Sequence, residues 1–295
     1  MNLSPPQQVI DLAVALGSDA TITQGPGGNV SMKEDGILWV KASGTQMAFA
    51  NSQLIFVPIN LENARNKIRA NSVSFESLYS KSLLRPSIET AMHALIGAPF
   101  VAHVHSLGSL SVSALKDLEL ATKLARSVCK ISVIPYVKPG IELAKSIENI
   151  LDRGSLALLL GNHGLTVWGE SPSQCQELIT ELEIVWRSAI DTPANNDEYE
   201  WIEILFGGAL FPDQVIFLGN ECFVFNPFAK DIFGLLTKIG LKRIQKAPWL
   251  VEFLKVLERV ARSGATIHEM RYLTQLECSE LLNWDAEKFR REQVE

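Results

Sequence analysis

The sequence predicts an α/β fold in which helices cover a central sheet, followed by a helical C-terminal extension. Strand-like and helix-like segments alternate through the first 190 residues, which favours a sheet with helices on both faces. The length of 295 residues and the 47% of hydrophobic residues allow a substantial core. A change in composition after Ile190 divides the chain into residues 1–190 and residues 191–295.

The first helix is predicted from capping signals near the N-terminus. Ser4 can act as the N-cap, Pro5 stands at the first helical position, and Gln7 completes a capping box. Apolar side chains then recur at the helical period: Val9, Leu12, Ala13 and Leu16. The helix is expected to end near Gly17.

The sheet is predicted from one hairpin and several short apolar runs. NVSMK and ILWVK flank Glu34-Asp35-Gly36, a strong hairpin signal. Further strands are expected at 54–60, 100–106, 131–137, 156–160 and 164–168. Helices are expected at 88–98, 140–152 and 171–189.

The region after Ile190 has a different composition. No Lys or Arg occurs from Ser188 to Ala229, and DTPANNDEYEWIE carries five carboxylates, which predicts an exposed acidic linker. Two apolar runs at 214–218 and 222–226 around a Gly-Asn pair predict a small hairpin. Basic amphipathic helices are expected from there to the end.

Composition argues against several classes of protein. The net charge of −6 lacks the cationic excess that nucleic-acid binding requires. No segment approaches the ~20 apolar residues of a membrane span, and the N-terminus lacks a secretory signal, so we expect no membrane partner and a cytoplasmic location. The four cysteines form no CxxC pair, which argues against a disulfide framework or a thiolate zinc site.

Three histidines occupy positions typical of metal ligands. His103 and His105 alternate in the predicted strand FVAHVHS, so their rings point to one face and can share a cation. His163 lies in the tight turn Gly161-Asn162-His163-Gly164, where a third ring can complete a His₃ set with open coordination for substrate. The alternative for the HxH pair alone is a polar sheet face.

Glu89 is the natural fourth partner of these histidines. It follows Pro86 in the first turn of a predicted helix. The alternative role is that of a carboxylate that stabilises the positive end of the helix dipole. His93 lies four residues further on the same face and can bond Glu89, although a buried core histidine, or one behind the ligands, is the commoner role.

Glycine-containing segments offer donors for an anionic group. Gly27-Gly28-Asn29 and Ser43-Gly44-Thr45 supply backbone N–H groups and polar side chains, and Ser87 lies near a helix N-terminus. Each segment alone is also typical of an ordinary turn. No Walker or dinucleotide fingerprint occurs, so nucleotide binding has no support.

Five motifs in order resemble the class II aldolase/adducin family, which includes the fuculose- and rhamnulose-phosphate aldolases. The motifs are GGNVSMK, KASGT, RPSIE, HVHS and GNHG, and the resemblance covers about residues 7–190. It implies an α/β/α sandwich around a mainly antiparallel sheet. It also implies a homotetramer with active sites near subunit interfaces.

The resemblance implies a role for each matched residue. His103, His105 and His163 take the positions of divalent-metal ligands, most commonly for zinc. Glu89 takes the position of the acid that binds metal in the resting site and acts as acid/base during turnover. The residues at the substrate-phosphate positions are Asn29, Ser43, Gly44 and Ser87.

The sequence departs from the family pattern in two places. The sugar-phosphate aldolases have two hydroxyl residues before the acid, whereas Ile88 follows Ser87 here. Lys41 or Arg85 can compensate for the missing phosphate donor. The LFPDQVIF stretch resembles extensions of longer members, and the C-terminal region is expected to cover the active-site mouth or to mediate subunit contacts.

The expected function is that of a metal-dependent aldolase that cleaves a ketose or ketose phosphate through a metal-stabilised enediolate. Burial is expected to raise the pKa of Glu89, the acid/base. Tyr199 and Tyr272 are candidate proton donors by residue type. Alternatives within the superfamily are a sugar-phosphate 4-epimerase, a dehydratase or a decarboxylase. Outside it, the alternatives are a non-catalytic adducin-like assembly module or an unrelated cupin-like scaffold.

Overall fold

The computed structural model of the chain describes residues 3–79, 84–151, 154–190, 200–267 and 270–295. Seven strands lie within these residues: β1 (Asn29–Glu34), β2 (Ile37–Lys41), β3 (Phe56–Asn60), β4 (Phe100–Val104), β5 (Ile131–Ile134), β6 (Ala157–Leu160) and β7 (Gly164–Gly169). They form one sheet in the order β3-β2-β1-β4-β7-β6-β5. Only the β5–β6 pair is parallel among these strands, which confirms the mainly antiparallel sheet.

Thirteen α-helices accompany the described strands. Those within residues 1–190 are α1 (Gln7–Gly17), α2 (Leu61–Arg69), α3 (Thr90–Leu95), α4 (Leu107–Ser113), α5 (Glu119–Ala125), α6 (Ile141–Glu148) and α7 (Pro172–Ile190). Those of the extension are α8 (Glu200–Gly207), α9 (Pro212–Phe217), α10 (Lys238–Lys246), α11 (Leu250–Ile267), α12 (Gln275–Leu282) and α13 (Asp285–Arg291). None of the helices in the described ranges is both long and apolar enough to cross a bilayer.

Both faces of the sheet are buried, as the α/β prediction requires. Phe100, Ala102 and Val104 of β4 pack into one apolar cluster, whereas Val101 packs into another on the opposite face. This alternation follows from the two-residue period of a strand. His103 therefore shares a face with Val101, within the central strand of the sheet.

The predicted hairpin of β1 and β2 is confirmed. Asp35 and Gly36 both have positive φ, 49° and 76°, as a two-residue type I′ turn requires. The buried face of α1 also matches its prediction, but its cap does not. The helix begins at Gln7, with Pro6 at the N-cap and no side-chain cap hydrogen bond.

The extension packs on the same core as the first 190 residues. Phe211, Phe217 and Val294 belong to one apolar cluster with Val9 and Leu12 of α1. The boundary at residue 190 stays a prediction, and residues 191–199 of the acidic linker lie outside the described residues. The exposed linker is wrong over 200–203, because these residues begin α8 and bury Trp201 and Ile202.

The hairpin predicted over 214–226 is wrong. Residues 212–217 form the helix α9, which has Pro212 at a favoured first-turn position and Asp213 in its first turn. The apolar run at 214–218 suggested a strand, but all six residues of the helix are buried, so their pattern carries no period.

Candidate metal centre and active site

Three adjacent strands bring the predicted ligands together. β4 pairs with β1 on one side, with His103 opposite Asn29, and with β7 on the other, with His103 opposite Thr166. His105 follows the end of β4, and His163 lies in the turn between β6 and β7. Glu89 precedes α3 and faces the same point.

The three imidazoles form a compact, buried group. Their ring centroids lie 4.9 to 5.3 Å apart. One nitrogen from each of His103, His105 and His163 lies within 4.8 Å of the others. Two nitrogens bound to one zinc at ~2.0–2.1 Å lie at most ~4.2 Å apart, and the 3.1 Å between the Nε2 atoms of His103 and His105 meets this limit.

In His103 and His105, the hydrogen bond made by Nδ1 determines which ring nitrogen carries the proton and which carries the lone pair. His103 Nδ1 lies 3.1 Å from the carbonyl oxygen of Leu165, and His105 Nδ1 lies 2.9 Å from Asp213 Oδ2. Carbonyl and carboxylate oxygens only accept hydrogen bonds, so each Nδ1 carries the proton. The two Nε2 atoms, 3.1 Å apart, then face each other with lone pairs. A cation between them removes that repulsion.

Glu89 completes the donor set. Its Oε1 lies 3.4 Å from His103 Nε2 and 3.2 Å from His163 Nε2 and has no hydrogen-bond partner, although the side chain is buried. Its Oε2 accepts a hydrogen bond of 2.6 Å from Asn29 Nδ2. An unpartnered buried carboxylate oxygen beside nitrogen lone pairs fits a divalent cation.

The charge states of the ligands also suit a cation. Burial lowers the pKa of His103 well below its ordinary value and that of His163 to about 4, so both rings are neutral at pH 7, as metal ligation requires. Burial raises the pKa of Glu89, but the imidazoles and Asn29 outweigh it and hold the value at about 2. The expected net rise in the pKa of Glu89 is therefore wrong, and the group is a carboxylate.

Asn29 connects Glu89 to residues behind the site. Its Nδ2 also lies 3.3 Å from Ser87 Oγ, and its Oδ1 accepts from Nε2 of His93. The other nitrogen of His93 bonds Ser31 Oγ at 2.7 Å. The ring of His93 thus bonds Asn29 rather than the carboxylate of Glu89, in agreement with a place behind the ligands.

One cavity unites the predicted substrate residues with the ligands. Its lining includes all four residues at the predicted phosphate positions: Asn29, Ser43, Gly44 and Ser87. Glu89, His105 and His163 line the same cavity, as do Ile88 and Lys41. Arg85 is not among the lining residues; its guanidinium stacks on the ring of Phe289 at 5.0 Å.

The extension supplies cavity residues that sequence reasoning missed. Asp213 of α9 and Glu287 and Arg290 of α13 also line the cavity. Arg290 Nη2 donates to Asp213 Oδ1 at 2.7 Å, and its Nη1 donates to both oxygens of Glu287. The Pro-Asp pair of LFPDQVIF is the one available signal, because it is typical of a helix start.

The last turn of the chain packs on the Ser43-Gly44 loop. Gln293 Nε2 donates to the carbonyl oxygen of Gly44 at 3.1 Å. Gly44 has a φ of 77°, and a Cβ there would lie 2.1 Å from Gln293 Nε2 and 3.0 Å from the ring of Phe289. The loop therefore needs glycine both for its backbone and for the approach of α13.

The tyrosine candidates lie elsewhere. Tyr272 packs against Gly207 and Gly208 and is not among the residues that line the cavity. Tyr199 lies outside the described residues. The described structure thus assigns no tyrosine to the cavity.

Comparison with known families identifies the first part of the chain. The family model described as Class II Aldolase and Adducin N-terminal domain matches residues 7–190. The chain belongs to this family. The match covers the five motifs that carry the resemblance.

Curated relatives share this region at low identity. The chain is 30% identical over 183 residues to the Bacillus subtilis protein named uncharacterized oxidoreductase YuxG, covering 55% of this chain and 26% of that protein. It is 28% identical over 160 residues to an L-fuculose phosphate aldolase of Methanococcus maripaludis, covering 52% and 77%. It is 30% identical over 184 residues to a methylthioribulose-1-phosphate dehydratase of Microcystis aeruginosa, covering 55% and 84%.

A solved structure shares the fold. It is the N-terminal class II aldolase domain of a conserved protein from Thermoplasma acidophilum, with a TM-score of 0.55 and 23% identity. The similarity covers 63% of this chain and 94% of that domain. The chain spans about a quarter of the length of the Bacillus relative, so it is similar to a part of that protein alone.

Proposed function

We propose that the protein is a divalent-metal-dependent aldolase, a carbon–carbon lyase that acts on a ketose or ketose phosphate. In this proposal His103, His105, His163 and Glu89 hold the metal, and zinc is the expected ion. The observation that carries the proposal is the unpartnered Oε1 of Glu89 beside the Nε2 atoms of His103 and His163.

The bound cation supplies Lewis-acid stabilisation of negative charge on a substrate oxygen, which is worth several kcal/mol. Cleavage of the bond between carbons three and four turns the hydroxyl on carbon four into an aldehyde, which releases that hydroxyl's proton to a base. The electron pair of the broken bond stays on the donor fragment, and that carbon must then gain a proton. In the synthetic direction the same carbon loses one. The chain therefore needs an acid/base beside the ligands.

Glu89 has the geometry for this proton transfer. Asn29 holds Oε2 in place, which leaves Oε1 as the oxygen that would accept or return the proton once substrate has displaced it from the metal. The group is a carboxylate at neutral pH, the form that accepts a proton. General acid–base catalysis of this kind contributes ~10²–10⁴-fold.

The polar lining of the cavity supports an oxygen-rich substrate. Ser43 and Ser87 offer hydroxyls, and Gly44 offers a backbone N–H. Lys41 offers a buried amine that donates to the carbonyls of Pro26 and Ala42 and whose pKa burial lowers to about 7. These groups suit sugar hydroxyls as well as a phosphate. The proposal therefore includes both ketoses and ketose phosphates.

A dehydratase is the second candidate. The relative named methylthioribulose-1-phosphate dehydratase favours it, because it is as similar to this chain as any relative named here. The same ligands and the same acid/base also support a 4-epimerase or a decarboxylase. An adducin-like assembly role without catalysis would not require a buried set of three histidines and Glu89, so the presence of this set favours an enzyme.

The test is product analysis of zinc-loaded wild type and Glu89→Gln on ketoses, ketose phosphates and methylthioribulose phosphate. We expect wild type to release an aldehyde, and the variant to bind one zinc but turn over ~10²–10⁴-fold more slowly. Glu221→Gln, which changes a half-exposed carboxylate away from the cavity, should match wild type. Full activity of metal-free protein, or of Glu89→Gln, would contradict the proposal, and loss of water without aldehyde would favour the dehydratase.

The assembly and location remain predictions. The family resemblance predicts a homotetramer, and sedimentation equilibrium would test this. The cytoplasmic location is an expectation from the sequence alone.

A further inference from the structure

His105 differs from the other ligand on β4 in what holds it. His103 lies within the strand, and its Nδ1 bonds the backbone of β7 at Leu165. His105 lies beyond the last residue of β4, and its Nδ1 bonds Asp213 Oδ2 at 2.9 Å. The extension therefore holds this imidazole.

We propose that Asp213 is a positioning residue for the metal centre, which orients His105 and strengthens its Nε2 as a ligand, and that Arg290 holds Asp213 for this task. This inference rests on the metal site of the proposed function. Asp213 lies outside residues 7–190, the part of the chain that matches the family. In this proposal the extension contributes residues that orient a metal ligand.

The geometry of Asp213 suits this role. The carboxylate is buried, with 4% of the residue exposed, and both of its oxygens have partners. Oδ2 faces His105, and Oδ1 accepts from Arg290 at 2.7 Å. A carboxylate on the outer N–H of a ligating imidazole fixes the tautomer and raises the electron density on the inner nitrogen.

Arg290 in turn is fixed by a second carboxylate and by an aromatic ring. Its Nη1 donates to both oxygens of Glu287 at 3.0 and 3.1 Å, and its guanidinium lies 4.9 Å from the ring centre of Phe217. Asp213, Glu287 and Arg290 are all buried, so water competes little for the hydrogen bonds between them. Each group therefore restrains the position of its neighbour. A rigid chain of contacts therefore runs from α13 through α9 to His105.

A second contact from the extension supports the inference. Asn162 precedes His163 and has a left-handed φ of 51°. Its Nδ2 donates to the carbonyl oxygens of Leu210 and Arg271, and its Oδ1 accepts from Arg271 Nη1, each at 2.8 Å. The extension thus holds the turn that carries another ligand, independently of Asp213.

The direct test is zinc affinity of the purified full chain, measured by competition with a chromophoric chelator. We expect Asp213→Asn, which keeps the side-chain shape, to raise the zinc dissociation constant ~10–100-fold. Arg290→Lys, which keeps the charge but loses the planar fork, should have a smaller effect in the same direction. Glu221→Gln breaks an ion pair elsewhere in the extension and should bind zinc like wild type.

A measurement on wild type keeps the test decisive if a variant does not fold. In zinc-loaded protein labelled with ¹⁵N at histidine, we expect the Nδ1 proton of His105 to be deshielded by its hydrogen bond to Asp213, with the ring signals assigned by correlation from the backbone. An Nδ1 that is unprotonated, or whose proton shows no such hydrogen bond, would overturn the inference. So would an Asp213→Asn variant whose zinc dissociation constant lies within twofold of wild type.

The outcomes separate this inference from the proposed function. If wild type binds no zinc, the metal site of the proposed function fails and the inference fails with it. If wild type binds one zinc and Asp213→Asn binds it equally well, the metal site stands and the role of Asp213 is refuted.

Discussion

The two regions of the molecule contribute to the site in different ways. Residues 1–190 supply the atoms that face the shared point: Glu89, His103, His105 and His163. The extension supplies groups behind them, among which Asp213 bonds His105 and Arg271 bonds Asn162. Sequence motifs therefore reveal the residues that would contact a metal or substrate. The residues that orient those groups become visible only in the packed structure.

The electrostatics of the two regions differ as well. Burial keeps the imidazoles of His103 and His163 neutral. In the extension, burial opposes the charges of Asp213 and Arg290, but their mutual attraction is stronger and holds the pKa of Asp213 below its usual range and that of Arg290 above it. Burial thus keeps two of the imidazole ligands neutral, and the third, His105, is held by a charged pair from the extension.

Removal of a metal ligand from residues 1–190 should have the largest effect on zinc binding and turnover, because these residues supply every predicted ligand. His163→Ala deletes one of the three imidazoles, so we expect stoichiometric zinc and measurable turnover both to disappear. Tyr272→Phe is the control, since Tyr272 packs on Gly207 and Gly208 away from the cavity and should keep both. Elemental analysis and a cleavage assay check this, and a fully active His163→Ala would contradict it.

A change at Asn162 tests how much the extension stabilises the turn. Asn162→Gly keeps the left-handed backbone but loses three hydrogen bonds to Leu210 and Arg271. We expect the free energy of unfolding to fall by about 2 kcal/mol in urea titrations. Asn71→Gly is the matched control, because Asn71 has a φ of 59° and an exposed side chain, and its effect should stay within about 0.5 kcal/mol. Equal effects of the two changes would contradict the anchoring role.

The pH dependence of the free energy of unfolding tests the protonation state of His93, which is buried behind Glu89. Burial, with a smaller effect of Lys33, lowers the pKa of His93 from 6.5 to about 3. The unfolded chain therefore binds a proton below pH 6.5 that the folded chain refuses until about pH 3, so stability is lost as the pH falls. His93→Gln should reduce the slope of unfolding free energy between pH 6 and 4 by about 1.4 kcal/mol per pH unit. Identical slopes for variant and wild type would contradict the assignment.

The smallest expected effect concerns the substrate end of the cavity. Ile88 stands where the family resemblance leads us to expect a hydroxyl residue, and it lines the cavity beside Ser87. Ile88→Ser restores a donor and should lower KM for a phosphorylated ketose by three- to tenfold relative to its unphosphorylated form, about 1 kcal/mol. Ile88→Val, which adds no donor, should leave the ratio unchanged. The same ratio in both variants would refute a phosphate contact at this position.

The sequence predicts the sheet because its strands carry local signals. The hairpin of β1 and β2 depends on Asp35-Gly36, and the antiparallel pair β6–β7 on the turn at residues 161–163. Among the helices of residues 1–190, α2, α4 and α5 were not predicted. The helix α4 is buried on all sides, so its sequence has no polar face to reveal a helical period.

The site could be predicted only as far as its motifs extend. Glu89 and the histidines stand in five ordered motifs, and the structure brings them to one point. Asp213 lies 108 residues after His105, in a segment that resembled a strand. Arg290 and Glu287 are spaced like an ordinary surface pair on a helix, and their burial depends on long-range packing that no local pattern encodes.

The most direct test of the central claim is the zinc stoichiometry of the purified full-length chain after equilibrium dialysis, compared with a His103→Ala/His105→Ala double variant. We expect one tightly bound zinc per wild-type chain and none in the double variant. A wild type without stoichiometric zinc, or a double variant that retains it, would contradict the claim that these imidazoles and Glu89 form a metal centre.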